Sequence, residues 1–141
     1  MLINKEEKDY LWEHFKFNAD QRIKAFNFFV VFCVFSNGGA FTAFEKNYSS
    51  IFKIGIGFFI IVLAFIFFAI DRRSRHLTNL AIPGLILYEK QLEHPELRLF
   101  EIDKNHHSGV FRYSFAFNAL YACEMIFGIV IITLGSTQCL T

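Results

Sequence analysis

This chain of 141 residues has only two prolines, Pro83 and Pro95, and three cysteines. Helix breakers are few from Asn4 to Lys24. The cysteines make no framework. Cys33 and Cys123 fall inside apolar runs and Cys139 close to the end, so free thiols are expected, with a Cys139 bridge between neighbouring subunits as the alternative. Lysine and arginine are missing altogether after Arg112. Also missing are zinc-spaced His and Cys sets, a glycine-rich phosphate loop and a nucleophile elbow. The five histidines are His14, His76, His94, His106 and His107. An adjacent pair such as His106 and His107, even with Asp103 nearby, is more often solvated than metal-bound. Arg98 with His106, or Arg72 with His76, is a poor match to a ribonuclease-style pairing. Neither catalysis nor a cofactor is expected.

What is present is apolar. Hydrophobic residues make up 54% of the chain, phenylalanine alone occurs 20 times, and the mean hydropathy is positive. A helical membrane span needs roughly 20 mostly apolar residues. Three uncharged or nearly uncharged runs meet that length: Ala25 to Phe44, Ile54 to Ile70, and Tyr113 to Leu134, the last containing Glu124. The first two dozen residues are too acidic, and too long before any apolar core, to read as a cleavable leader.

Positive charge gives the orientation. Lys5, Lys8, Lys16, Arg22 and Lys24 precede the first run, and Arg72, Arg73, Arg75, Lys90, Arg98, Lys104 and Arg112 lie between the second and third. Cytoplasmic loops collect Lys and Arg, so the N-terminus and the segment from Asp71 to Arg112 are expected inside. The expected organisation is an amphipathic helix over 1–24, spans at 25–44, 54–70 and 113–135, a short external loop at 45–53, a cytoplasmic helical segment at 71–112 and an external tail at 136–141. The fold class is an all-α membrane protein with cytoplasmic helical extensions, assembled as an oligomeric bundle.

Within this frame Leu11, Phe15, Ala19, Ile23 and Phe26 repeat at a helical spacing that leads into the first span. Tyr10, Trp12 and Phe17 suit either an interfacial helix among head groups or packing against the other cytoplasmic helix. Pro83 and Gly84 are expected to kink the second helix or start a new one. A short strand is expected around Leu97 to Ile102.

Glu124 is the costliest side chain in the three runs, because a carboxylate in mid-span normally faces a bundle interior, a partner or water. It shares a helical face with Phe117, Tyr121, Gly128 and Gly135. Either it lines or gates a pore between subunits, or it makes one hydrogen bond, to Tyr121 or Asn118 of a neighbour, that fixes packing. Ser36, Asn37, Gly38 and Gly39 form a weakened turn, read first as close helix packing and otherwise as a hinge or pore constriction. Arg72, Arg73, Arg75, His76, Arg98, Lys104 and Arg112 could hold an anion such as a nucleotide or oligonucleotide. Topology by itself already asks for positive charge there.

Two stretches carry a resemblance. Phe17 to Val31 (FNADQRIKAFNFFVV) resembles the pattern HA-x-QR-x-x-x-FNFF through Ala19, Gln21, Arg22, Phe26, Asn27, Phe28 and Phe29. Ile70 to Glu89 resembles its companion, LD-x-RNR-x-L-x-x-x-GE-x-AL-x-x-LE, through Asp71, Arg73, Arg75, Leu77, Leu85 and Glu89. Asn18 replaces the pattern's histidine, Ser74 its asparagine, and Ala81 with Ile82 its Gly-Glu. Both stretches, about a quarter of the chain, are similar to small transmembrane effectors of bacterial antiphage systems of the Hailong, retron and CRISPR-associated types.

The resemblance implies a homo-oligomeric pore in the inner membrane, gated by a nucleic-acid or nucleotide signal and able to depolarise the cell. One chain with three spans is too small to enclose an aqueous path, so conduction requires several subunits. A non-conducting anchor that recruits a cytosolic partner through Leu77 to Arg112 is the alternative. Arg22 and Asp71 fall at the same depth in the expected topology and are expected to pair within the hairpin.

Overall fold

The computed structural model describes residues 4–105 and 113–137, with backbone alone at 104, 105 and 113. Arg112, His106, His107 and Cys139, together with the Lys104 side chain, lie outside the described residues. Four helices make up the fold: α1 (Lys5–Glu45), α2 (Ser50–Glu89), α3 (Leu99–Asn105) and α4 (Tyr113–Thr137), with a 3-10 turn at Pro95–Leu97. The chain is all-helical among the described residues. α1, α2 and α4 are each long and apolar enough to cross a membrane. At 1.5 Å per residue, α1 and α2 are each about 60 Å long, roughly twice a hydrocarbon core.

Local chemistry sets the ends. The N-terminus of α1 is a capping box in which Asn4 Oδ1 accepts from the Glu7 amide at 2.8 Å, and Glu7 Oε2 accepts from the Asn4 amide at 2.9 Å. At its other end Asn47 takes a positive φ of 50°. The Tyr48 amide reaches Ala43 O at 2.9 Å and the Asn47 amide reaches Phe44 O at 3.2 Å, which satisfies the last carbonyls and turns the chain into α2.

The contacts divide the chain into two units. One comprises 1–24 with 71–112, the other 25–70 with 113–141. α1 and α2 each contribute to both.

In the second unit the inward side of α2 reads Lys53, Gly57, Ile60, Ala64 and Phe67, and that of α4 reads Phe117, Tyr121, Glu124, Gly128, Ile131 and Gly135. The steps alternate between four and three residues. That is a heptad repeat, the signature of left-handed helix packing. Outward positions carry Phe28, Phe35, Phe41, Phe58, Phe65, Ile126 and Ile129, all exposed. Lipid is as apolar as these side chains, so helix association here depends on close backbone approach and hydrogen bonding. Gly57 and Gly128 supply the approach. A Cβ on Gly57 would lie 2.8 Å from Gly128 O, and one on Gly128 would lie 2.8 Å from Gly57 O. Gly135 packs in the same manner, with the Lys53 Cβ 3.2 Å from where its own would be.

In the first unit Leu11, Phe15, Asn18 and Arg22 of α1 form the inward row, and Asp71, Ser74, Thr78, Ala81, Leu85 and Glu89 that of α2. The row therefore departs from the expected Leu11, Phe15, Ala19, Ile23 and Phe26. Ile23 is exposed and Asn18 is buried, because a row stepping by four drifts off the packed face, whereas a 3.5-residue repeat stays on it. Trp12 stacks on Phe15 at 5.7 Å, and both meet the Phe100 ring edge-on, at 6.4 and 5.2 Å; Tyr10 and Phe17 are exposed.

Of two other expectations, one is narrowed and one overturned. α2 runs through Pro83 as a single helix, so no new helix starts there. Pro83 is exposed, and the adjacent Gly84 packs so closely on Leu11 that a Cβ there would meet its Cδ1 at 2.6 Å. The packing outweighs one lost backbone hydrogen bond. The strand expected at Leu97 to Ile102 is the 3-10 turn followed by α3. Both oxygens of the buried Glu89 accept from the Phe100 amide, at 3.0 and 3.1 Å, and one accepts from Glu101 at 3.2 Å. Those two amides are orphan donors of a helical first turn, and a strand would leave the carboxylate without them.

Candidate functional site

Near the middle of their runs, Asn37 on α1 and Glu124 on α4 meet. Asn37 Nδ2 donates to Glu124 Oε1 at 2.9 Å. Glu124 is 8% exposed, and its Oε2 and the Asn37 Oδ1 are both buried with no hydrogen-bond partner. The Cys33 thiol, one turn from Asn37, lies beside the same carboxyl. Tyr121, three residues before Glu124 and 1% exposed, sits among the rings of Phe26, Phe29 and Phe68 at 6.4, 4.7 and 6.1 Å. A carboxyl, an amide and a thiol thus meet in the packed interior of the second unit, beside a cluster of aromatic rings.

The face expected on α4, with Tyr121, Glu124 and Gly128, is the buried one, and its partner is Asn37 of the same chain. Asn118 is off that row, half-buried, with its Oδ1 unpartnered. Ser36 does not join the site: its hydroxyl donates back to Phe32 O at 2.7 Å and lies 3.3 Å from Cys33 O. Of the Ser36 to Gly39 stretch only Asn37 makes a side-chain contact with another helix, and the two glycines face open space within the chain. α1 is continuous there, and nothing lies within 4 Å of a Cβ built on Gly38 or Gly39.

In the first unit Arg22 and Asp71 are brought together, with Arg22 Nε donating to Asp71 Oδ1 at 2.6 Å and Nη2 3.5 Å from Oδ2. Asp71 is 2% exposed. Asn18 and Ser74, two of the departures from the resembled patterns, are also buried on these inward rows. Asn18 Nδ2 donates to His14 O at 2.8 Å. A buried, forked ion pair flanked by neutral polar groups fixes register between two helices better than apolar contacts do.

The described members of the basic set stand in different surroundings. Arg72, Arg73 and His76 are exposed and Arg75 half-buried. Arg98 turns inward, donating to Leu92 O at 3.1 Å, with Glu101 at 3.9 Å. Elsewhere the Asp9 carboxylate, hydrogen-bonded to Lys8 at 2.6 Å, raises the lysine pKa above its ordinary value. No group of three His, Cys, Asp or Glu side chains able to hold a metal occurs among the described residues.

Sequence reasoning missed the buried Lys53, whose ammonium lies 4.8 Å from the centre of the Phe44 ring, and the capping role of Glu89. The missed signal was the period of α2, since Lys53, Asp71, Ser74 and Glu89 all fall on its inward row. Compared with known proteins, the chain matches no protein family, no curated protein and no solved structure.

Proposed function

We propose that the chain is the subunit of a homo-oligomeric membrane channel that depolarises the bacterial inner membrane as an antiphage effector, with its N-terminus cytoplasmic and its gating signal received by the first unit. The carrying observation is the Asn37–Glu124 pair, with two buried and unpartnered oxygens at mid-span. Unsatisfied oxygens are costly at that depth, and water or a permeating cation is what satisfies acceptors of this kind in a conducting path. The orientation is supported by the distribution of Lys and Arg. The effector role is supported by the resemblance of the two motifs alone. A nucleotide or nucleic acid is the signal that the resemblance implies.

A second reading, a non-conducting anchor for a cytosolic partner, is favoured by the exposed Leu80, Leu87, Leu97 and Leu99 of the first unit. Single-channel recording from purified chain in a planar bilayer separates the two. Discrete current steps, altered in amplitude or selectivity by Glu124→Gln, support the channel. A silent bilayer from protein with intact helical circular dichroism, together with unchanged membrane potential in overproducing cells, supports the anchor.

A further inference from the structure

Residues of the first unit line an open pocket of about 250 Å³ whose walls are the rings of Trp12, Tyr88 and Phe100 and the side chains of three leucines. Its charged lining groups are Lys8 and Glu89. Glu89 is committed, since its oxygens accept the Phe100 and Glu101 amides. Lys8 is not buried in this way. Its ammonium stands 5.6 Å from the centre of the Tyr88 ring, with the half-buried Asp9 as its ion-pair partner. Phe100 is held in place by the edge-on contacts of Phe15 and Trp12, so this wall exists before any ligand arrives.

We infer that this pocket binds a small planar aromatic anion, its ring between Trp12, Tyr88 and Phe100 and its acidic group at Lys8. Ring faces attract a flat π-system, and an exposed ammonium exchanges one carboxylate partner for another anion at little cost. A space below the roughly 300 Å³ at which drug-sized pockets begin accommodates one ring system with one acidic substituent. The site deepens the reading of the first unit as the receiver of a gating signal, and rests on it for its purpose.

Trp12 is the sole tryptophan of the chain and is 46% exposed at the pocket wall, which makes its fluorescence the reporter. The full chain in detergent micelles is titrated with adenosine monophosphate and with phenyl phosphate, and with decanoate as an aliphatic anion. The expected result is a saturable change in emission with at least one of the aromatic anions, half-complete below about 1 mM and weakened about tenfold or more by Lys8→Gln and by Tyr88→Ala. Tyr88→Leu, which keeps an apolar wall, controls for folding and should weaken binding in the same direction. A preference for adenosine monophosphate points to a nucleotide, and equal response to phenyl phosphate points to aromatic acids in general. No saturable change, a change indifferent to Lys8 and Tyr88, or a stronger response to decanoate overturns the proposal. Because no current is measured, saturable binding by a chain that conducts nothing would leave the site standing and remove the channel.

Discussion

At the scale of single residues, the decisive chemistry is that of polar groups denied water. Asp71 is almost wholly buried and Arg22 neutralises it. Removing the guanidinium with Arg22→Ala leaves an uncompensated buried carboxylate and should cost about 3–5 kcal/mol. Exchanging the two residues, Arg22→Asp with Asp71→Arg, should recover a large part of that loss. Thermal unfolding in micelles of the parent, the single variant and the exchanged pair checks it; equal melting temperatures for all three would dissolve the pair as a stabilising feature. Asn37 poses the same question at membrane depth. Asn37→Leu removes the amide donor of Glu124 and leaves it only the neighbouring Cys33 thiol, and should lower stability by about 1–3 kcal/mol.

At the scale of helices, glycines distinguish contact from exposure. Gly128→Val places atoms where Gly57 O and the Ile61 Cγ1 already lie, within 2.8 Å. It should destabilise the packing of α2 on α4 by about 1–3 kcal/mol or more. Gly38→Ala and Gly39→Ala meet nothing within 4 Å, and each should stabilise α1 by about 0.4–1 kcal/mol. The opposite signs are measurable in one series of denaturation curves. The short α3 depends on a carboxylate supplied by α2. Glu89→Ala should accelerate hydrogen exchange at the Phe100 and Glu101 amides while leaving the amides of α4 protected.

At the scale of the whole molecule, the outward aromatic surface and the charge distribution bear on the membrane. With the native cysteines changed to serine, Ser49→Cys in the α1–α2 connection should react with a membrane-impermeant maleimide applied to spheroplasts. Glu93→Cys should react only after permeabilisation. The reverse pattern would invert the orientation drawn from Lys and Arg.

The sequence by itself determined the all-helical class and the three apolar helices, because span length and apolarity are properties of consecutive residues. The burial of Tyr121, Glu124 and Gly128 was legible too, since all three lie on one helical face. Pairing was less so. Glu124 was expected against a neighbouring subunit, and its donor is Asn37, 87 residues earlier in the same chain, because that choice depends on the rotation and register of α1 against α4. Arg22 with Asp71 was legible, since opposite charges at matching depth in a hairpin have few other places to go. Only the tertiary structure decided that Gly57 and Gly128, rather than Gly38 and Gly39, carry the close contact, and that residues 99–105 are helix. It alone gathered Trp12, Tyr88 and Phe100 around one pocket. Each of these outcomes turns on a group supplied from a distant part of the chain, which no local period or propensity contains.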